Sequence, residues 1–484
     1  MALAIMLGAQ LMIILDATVV NIALPHIQSG LHFSATSLSW VMNGYTLTFG
    51  GLLLLGGRAG DILGRRRMFL AGIAVFTLAS LAGGLAPNAG VLLAARAVQG
   101  VGGALASPAV LALVVSGFAE GRERIRALAV YSAVVTAGGS LGLVLGGLIT
   151  QWASWRWVLF VNVPIGIAVT VLTPRFVTET PRQSGRFDLP GAVTSTAGVA
   201  ALVYAFIRAA SDGWGNHLAL AAFAVAAVLL VTFVLNETRA AQPITPLRLF
   251  ADRGRSGSFA ARLLVVAGMF GMFFFLTQFL QDVLGFAPLR AGLAFLPMTL
   301  LLFAVSRLAP RLIPRVGGYR LMLAGMLPVM AGMAWLSQVS PATGYWTGVF
   351  GPMVLLGAGM GVVFVPLTTA SLAGVRPQES GAASSMVNVM QQFGGSVGLA
   401  VLVAVFGTAT RASLAHPVAG LTARALRRQV LAHGMSTAFA LAAVFDVAAF
   451  VVIAVLLRDR KPTVPDTPAG LADGADIAAS AVSD

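Results

Sequence analysis

Gly57-Arg58-Ala59-Gly60-Asp61-Ile62-Leu63-Gly64-Arg65-Arg66-Arg67 is the stretch on which the fold turns. Its glycines permit a very tight reversal of the chain. Its arginines load that reversal with positive charge, and one acid, Asp61, sits among them. An apolar run flanks it on each side, at 38–57 and 68–87. The segment therefore reads as a short basic loop between two membrane helices, with Asp61 opposing several arginines as a charge latch at a helix end.

The rest of the chain carries the same pattern. Of 484 residues, 58% are hydrophobic and 10% charged, whereas a soluble domain carries roughly a quarter charged residues. So few charges cannot cover a water-soluble body of this length, and the apolar surface must face lipid. The formal net charge is +14, from 31 Lys+Arg against 17 Asp+Glu. The arginines gather in short clusters between apolar runs. That is the pattern of loops beside an anionic leaflet, so no nucleic-acid partner is expected. There is no cysteine, which excludes disulfides and thiolate metal sites. The five histidines are scattered, no metal-ligand spacing occurs, and no Walker A sequence is present. Neither a metal nor a cofactor is expected, and ATP is not the expected energy source.

A membrane helix needs about 20 mostly apolar residues. Such runs lie at 2–24, 38–57, 68–87, 91–116, 127–150, 156–173, 189–208, 217–235, 258–281, 290–309, 320–339, 346–371, 382–407 and 434–457, which predicts about fourteen spans. The first run has no basic stretch before it and contains Asp16, so it reads as a span and not as a cleavable leader. Loops after even-numbered spans are basic: Arg58 with Arg65, Arg66 and Arg67; Arg122, Arg124 and Arg126; Arg175, Arg182 and Arg186; Arg239, Arg248, Arg253 and Arg255; Arg311 and Arg315; and finally Arg458, Arg460 and Lys461. Odd-numbered loops are poorer, except the one before the last span, with Arg411, Arg424, Arg427 and Arg428. By the positive-inside rule both termini are expected in the cytoplasm of a multi-pass protein of the cell membrane. The tryptophans lie mostly near span ends, as interfacial anchors do.

A weak repeat links GDILGRRRMFLAG from Gly60 with IPRVGGYRLMLAG from Ile313: Gly64 matches Gly317 and Arg67 matches Arg320. Eight spans separate the copies, two more than a duplication of six-helix halves requires. The expected fold is all-α: two six-helix bundles related by pseudo-twofold symmetry plus two inserted helices. The divisions are 1–187, 188–257 for the insertion, 258–460, and a disordered tail at 461–484 rich in Pro, Ala, Asp and Ser.

The loop at Gly57–Arg67 resembles the loop 2–3 signature of the major facilitator superfamily, G-x-x-x-D-x-x-G-R-[KR]. Leu15-Asp16-Ala17-Thr18-Val19-Val20-Asn21-Ile22-Ala23-Leu24-Pro25 resembles the first-helix signature of its 14-helix drug:proton antiporter branch, the EmrB/QacA type. Trp40 and Tyr45 fit that branch. Arg96-Ala97-Val98-Gln99-Gly100-Val101-Gly102-Gly103-Ala104 resembles its fourth-helix motif, and Trp155–Gly166 its sixth-helix entry. Gly138, Gly139, Gly142, Gly146 and Gly147 resemble the antiporter motif of the fifth helix, with Leu143 where the family has proline. Independently of the resemblance, Gly138, Gly142 and Gly146 recur every four residues, a small-residue face suited to close helix packing.

An ionisable side chain inside a span is costly and functional by default. Asp16, Arg96 and Asp446 are the candidates for proton coupling, and for Arg96 that role is what the resemblance implies. Gly57, Asp61, Gly64, Arg65 and Arg66 form the candidate gating loop. Asn21, Tyr45, Gln278, Gln281, Asn388 and Gln392 are candidates for lining a polar cavity, and the sequence does not separate that role from helix-to-helix contact for the amides. The expected function is proton-coupled export of small amphipathic compounds by alternating access, driven by the proton-motive force. Its partners are a small-molecule substrate, protons and the lipid bilayer, and the resemblance suggests a monomer. A dedicated exporter of one metabolite or antibiotic stays open as an alternative; a channel or a membrane enzyme is a remote one.

Overall fold

The computed structural model describes residues 1–118, 121–182, 187–240, 242–375, 380–416 and 421–458. The tail at 461–484 lies outside the described residues. Among the described residues, fourteen helices are long and apolar enough to cross a membrane: α1 (Ala2–Leu31), α2 (Ser37–Leu63), α3 (Arg65–Gly84), α4 (Ala89–Gly117), α5 (Arg122–Trp152), α6 (Trp157–Phe176), α7 (Leu189–Asp212), α8 (His217–Arg239), α9 (Arg253–Val283), α10 (Pro288–Val316), α11 (Gly318–Leu336), α12 (Phe350–Leu372), α13 (Ala382–Ala415) and α14 (Ala423–Leu456). Lipid offers no hydrogen-bond partners, so a spanning segment must satisfy its own backbone, and the helix does this within one segment.

Polar residues between the apolar runs start the helices. Asn88 accepts from the Val91 amide, Asp188 from Gly191, Asn216 from Leu218 and Ala219, and Asp252 from Arg255. Each supplies an acceptor for an amide that the helix itself leaves unpaired. Several helices run past the expected apolar runs: α1 reaches Leu31, α13 reaches Ala415, and α2 reaches Leu63, so that Gly64 alone separates it from α3 in the expected loop. The basic stretch before the last span is helix, since α14 begins at Ala423 behind the Thr422 cap and carries Arg424, Arg427 and Arg428 in its first turns. Hydropathy registers only the apolar part of a helix, and alanine, leucine and arginine all favour the helical conformation.

The two halves repeat each other's packing. In the first, α2 and α3 pack on α4, α1 on α5, and α3 on α6; in the second, α10 and α11 pack on α12, α9 on α13, and α11 on α14. The matched glycines of the weak repeat have matching backbones. Gly64 (φ 110, ψ 128) precedes α3 and Gly317 (φ 86, ψ 139) precedes α11. These are left-handed conformations that a side chain strongly disfavours. The halves meet where α2 lies against α13 and where α5 lies against α10. Helices α7 and α8 pack on each other, and α7 also touches α2 and α13. α8 is outermost and presents Leu218, Val225, Val228, Val231 and Leu235 outward.

Within the first half, the small-residue face of α5 meets α1. Gly142 abuts the Thr18 hydroxyl, and a Cβ at Gly146 would lie 2.7 Å from the Val19 carbonyl oxygen. Gly139, three residues before Gly142, has nothing within 4 Å of the same position. Gly146→Val is therefore expected to cost about 1–3 kcal/mol by overpacking, seen as a lowered thermal midpoint of the purified protein, while Gly139→Ala leaves the midpoint unchanged.

Candidate functional site

A cavity of about 1980 Å³ lies between the halves. Its wall includes Thr18 and Asn21 of α1, Tyr45 and Thr46 of α2, Phe270 and Phe273 of α9, and Asn388, Gln391 and Gln392 of α13. At one end the wall continues onto Gly57, Arg58, Asp61 and Arg65 and onto residues 242–244 and 246–248 after α8, so the cavity opens on the face that carries the arginine-rich loops. At the other end the halves are closed on each other. The Asn21 amide donates to the Phe273 carbonyl (3.2 Å) and to the Thr277 hydroxyl (3.1 Å), and Gln281 donates to the Ile22 carbonyl (2.8 Å). Gln151 accepts from the Leu289 amide (3.2 Å), and a Cβ at Gly147 would stand 2.6 Å from the Pro288 carbonyl oxygen. Gly147 thus permits the backbone contact between α5 and α10, while Gly142 and Gly146 serve the contact with α1. α5 runs without interruption through Leu143.

Behind the cavity wall, in the first half, lies a buried charge network. Asp16 Oδ2 and Arg96 Nη1 are 2.5 Å apart, with both side chains sealed from solvent. Asp16 Oδ1 accepts from Asn162 Nδ2 (2.8 Å) and Gln99 Nε2 (3.0 Å). Arg96 donates through Nη1 to Gln99 Oε1 (2.9 Å) and through Nε to the Val41 carbonyl (3.1 Å). Gln99 also donates to the Ser80 hydroxyl (2.7 Å). The Tyr45 ring lies 4.6 Å from Arg96 Cζ and faces the cavity on its other side, so it separates the ion pair from the open space. A buried pair is tolerated only when hydrogen bonds satisfy its remaining lone pairs and protons. Gln99, Asn162 and the Val41 carbonyl meet most of that need and Ser80 holds Gln99 in place, while Arg96 Nη2 has no partner. Gln99 and Asn162 lie inside the stretches that resemble family motifs; Ser80 carried no signal.

The other candidates fall in several places. Asn21, Tyr45, Asn388 and Gln392 line the cavity. Gln278 and Gln281 do not face it: Gln278 donates to Phe274 in its own helix, and Gln281 joins the closed end. Asp446 is fully buried, neither of its oxygens has a hydrogen-bond partner, and it sits beside Gly268 of α9, apart from both the cavity wall and the Asp16–Arg96 network.

In the arginine loop, Asp61 near the end of α2 is paired at 2.9 Å with Arg65, the first residue of α3, across the break at Gly64. The latch therefore differs from the expected cluster of arginines around Asp61. Arg66 turns away from Asp61, and its guanidinium donates to the Val177 carbonyl (3.2 Å). The half-buried carboxylate of Glu179 accepts the Arg66 amide (2.9 Å) and the Arg67 amide (3.3 Å), capping the first turn of α3 where the helix dipole favours an anion. Glu179 is 113 residues from Arg66 in the chain. In the sequence it was only one of two acids, with Asp188, in the basic loop after α6.

Two repeated helical halves around a cavity open at one end are the architecture of a secondary membrane transporter. The chain belongs to the Major Facilitator Superfamily, whose family model matches residues 6–399. It is 42% identical to the puromycin resistance protein pur8 of Streptomyces alboniger, over 96% of this chain and 92% of that protein. It is 43% identical to the cephamycin export protein CmcT of Amycolatopsis lactamdurans, over 85% of this chain and 86% of that one. Among solved structures, the nucleoside transporter NupG superposes with a TM-score of 0.65, covering 94% of this chain and 100% of its own, at 12% identity, which speaks to the fold alone.

Removing one member of a buried pair costs about 3–5 kcal/mol because its partner is left uncompensated. Arg96→Met is expected to lower the thermal midpoint sharply, and the double variant with Asp16→Asn to recover part of that loss, as read by thermal unfolding of the purified protein.

Proposed function

We propose that this protein exports small amphipathic molecules in exchange for protons, as a monomer in the cell membrane with no cofactor. The observation that carries the reading is the Asp16–Arg96 pair, sealed behind Tyr45 at the wall of a cavity open at one end. By the positive-inside rule the arginine-rich face is cytoplasmic, so the cavity faces inward and both termini lie inside. Substrate enters from that side. The external contacts at Asn21, Gln281 and Gly147 then part and release it outside, while the loop at Asp61, Arg65 and Glu179 helps hold the inner face closed. A proton arriving from outside then neutralises Asp16, removes its attraction for Arg96, and loosens the network that ties α1 to α3, α4 and α6, so that the protein returns to the inward-open arrangement and the proton leaves to the inside. Each proton moving down the membrane potential supplies about 2.3 kcal/mol per 100 mV.

A second reading, export of a single antibiotic, draws support from the names of the relatives: the cephamycin export protein and the lincomycin resistance protein of Streptomyces lincolnensis, 36% identical over 82% of this chain, each carry one compound in their name. Substrate breadth separates the readings. In proteoliposomes with an imposed pH gradient, a broad exporter moves a varied dye panel and a dedicated one moves few or none of them.

Asp16→Asn is expected to abolish pH-driven transport while leaving gradient-free substrate exchange in place. Full pH-driven transport by this variant would remove Asp16 from the proton pathway. The natural absence of cysteine makes orientation directly testable. A membrane-impermeant maleimide is expected to label Ser29→Cys in intact cells and Thr238→Cys only in inside-out vesicles, both positions being exposed.

A further inference from the structure

The second half buries an arginine that no acid balances. Arg262 lies well inside α9 and is 4% exposed. Its Nη2 donates to the Thr368 hydroxyl of α12, its Nη1 reaches Gln391 Oε1 of α13 at 3.5 Å, and its Cζ lies 5.5 Å from the Phe364 ring centre. Its Nε has no partner. Every group it touches is neutral, and among the described residues no carboxylate pairs with it. Arg96, the other buried arginine inside the membrane body that touches the cavity wall, rests against Asp16. An arginine that only obeyed the positive-inside rule would extend its head group to water. This one turns inward, onto two side chains that line the cavity.

The cavity wall has the same bias. Among its described residues the one acid is Asp61, at the mouth and already paired with Arg65, while Arg58, Arg65 and Arg248 are basic. A cation bound deep in the cavity meets no counter-charge. An anion meets Arg262 across one layer of side chains. Gln391 turns its carbonyl oxygen toward Arg262, which leaves its amide N–H groups as donors for a ligand. Phe270, Phe273 and Phe274 supply an apolar wall nearby.

We propose that Arg262, with Gln391 and Thr368, forms an anion subsite of the cavity, and that the preferred ligands are amphipathic carboxylates. A guanidinium presents a planar fork of donors that matches a carboxylate, and a buried cation without a partner gains most from receiving one. The proposal rests on the exporter reading for its biological sense, but its test does not depend on proton coupling.

The test is equilibrium binding of dansyl-phenylalanine and of dansyl-phenylalaninamide to the purified full-length protein in nanodiscs, without a pH gradient. The two probes share one amphipathic body and differ by the carboxylate. The wild-type protein is expected to bind the acid about tenfold more tightly, the size of one charged hydrogen bond. Arg262→Gln is expected to erase that preference while amide binding stays within about twofold, and Arg262→Lys to keep part of it. Gln391→Glu leaves Arg262 in place, supplies the missing counter-charge from within, and is expected to erase the preference as well. Wild-type protein that binds the amide as tightly as the acid, or binds neither, overturns the proposal. So does Arg262→Gln weakening both probes equally, or Gln391→Glu retaining the preference. If the carboxylate preference holds but no pH gradient drives transport of either probe, the subsite stands and the proton-exchange reading falls.

Discussion

A charge inside hydrocarbon must be matched, and the first half of this protein is arranged around one match. Asp16 and Arg96 come from α1 and α4. Val41 of α2 and Asn162 of α6 bond the pair directly, and Ser80 of α3 bonds it through Gln99. Five helices therefore converge on one buried pair, with Gln99 as the bridge between acid, base and hydroxyl. Such a pair adds little net stability when intact and much instability when broken. That asymmetry suits a switch: loss of either charge would change the balance of forces on several helices at once.

The membrane body was legible because hydrocarbon thickness and backbone satisfaction leave few options. The apolar runs and the alternation of arginines marked the spans, and the pairing of Gly64 with Gly317 located the repeat at two positions of the same backbone conformation. Legibility failed where an element's character comes from its neighbours. The start of α14 was hidden because its Arg-rich turns look like a loop to hydropathy. Asp16 and Arg96 stood out as costly charges, but nothing in their spacing says that they meet. Ser80 and Gln99 are ordinary neutral residues until the fold brings them to the pair. Glu179 is the clearest case: its function as the cap of α3 exists only because the chain after α6 returns to the arginine loop. Gln278 and Gln281 show the converse, since an amide beside a cavity in sequence turns away from it once the helix phase is fixed.

The halves repeat in backbone and differ in charge. The first carries a compensated pair behind Tyr45. The second carries Arg262, which touches only neutral groups, and Asp446, whose oxygens have no partner, and the two belong to different surroundings. Pseudo-symmetry of packing thus does not extend to electrostatics. Matching helices can line a cavity from both sides while only one side carries a compensated ion pair.

The position of α7 bears on how lipid-dissolved molecules approach the centre. It packs closely on both α2 and α13: Gly51 abuts Thr196, and a Cβ at Gly407 would lie 2.6 Å from the Ala210 carbonyl oxygen. The seam between α2 and α13 is thereby curtained from the acyl chains along its flank, with α8 as a further layer outside. Among the described residues, the inserted pair makes no comparable packing against the opposite seam, between α5 and α10. The two sides of the body are thus unequal toward a compound already dissolved in a leaflet, which finds a doubly walled flank on one side and a single helix-to-helix contact on the other.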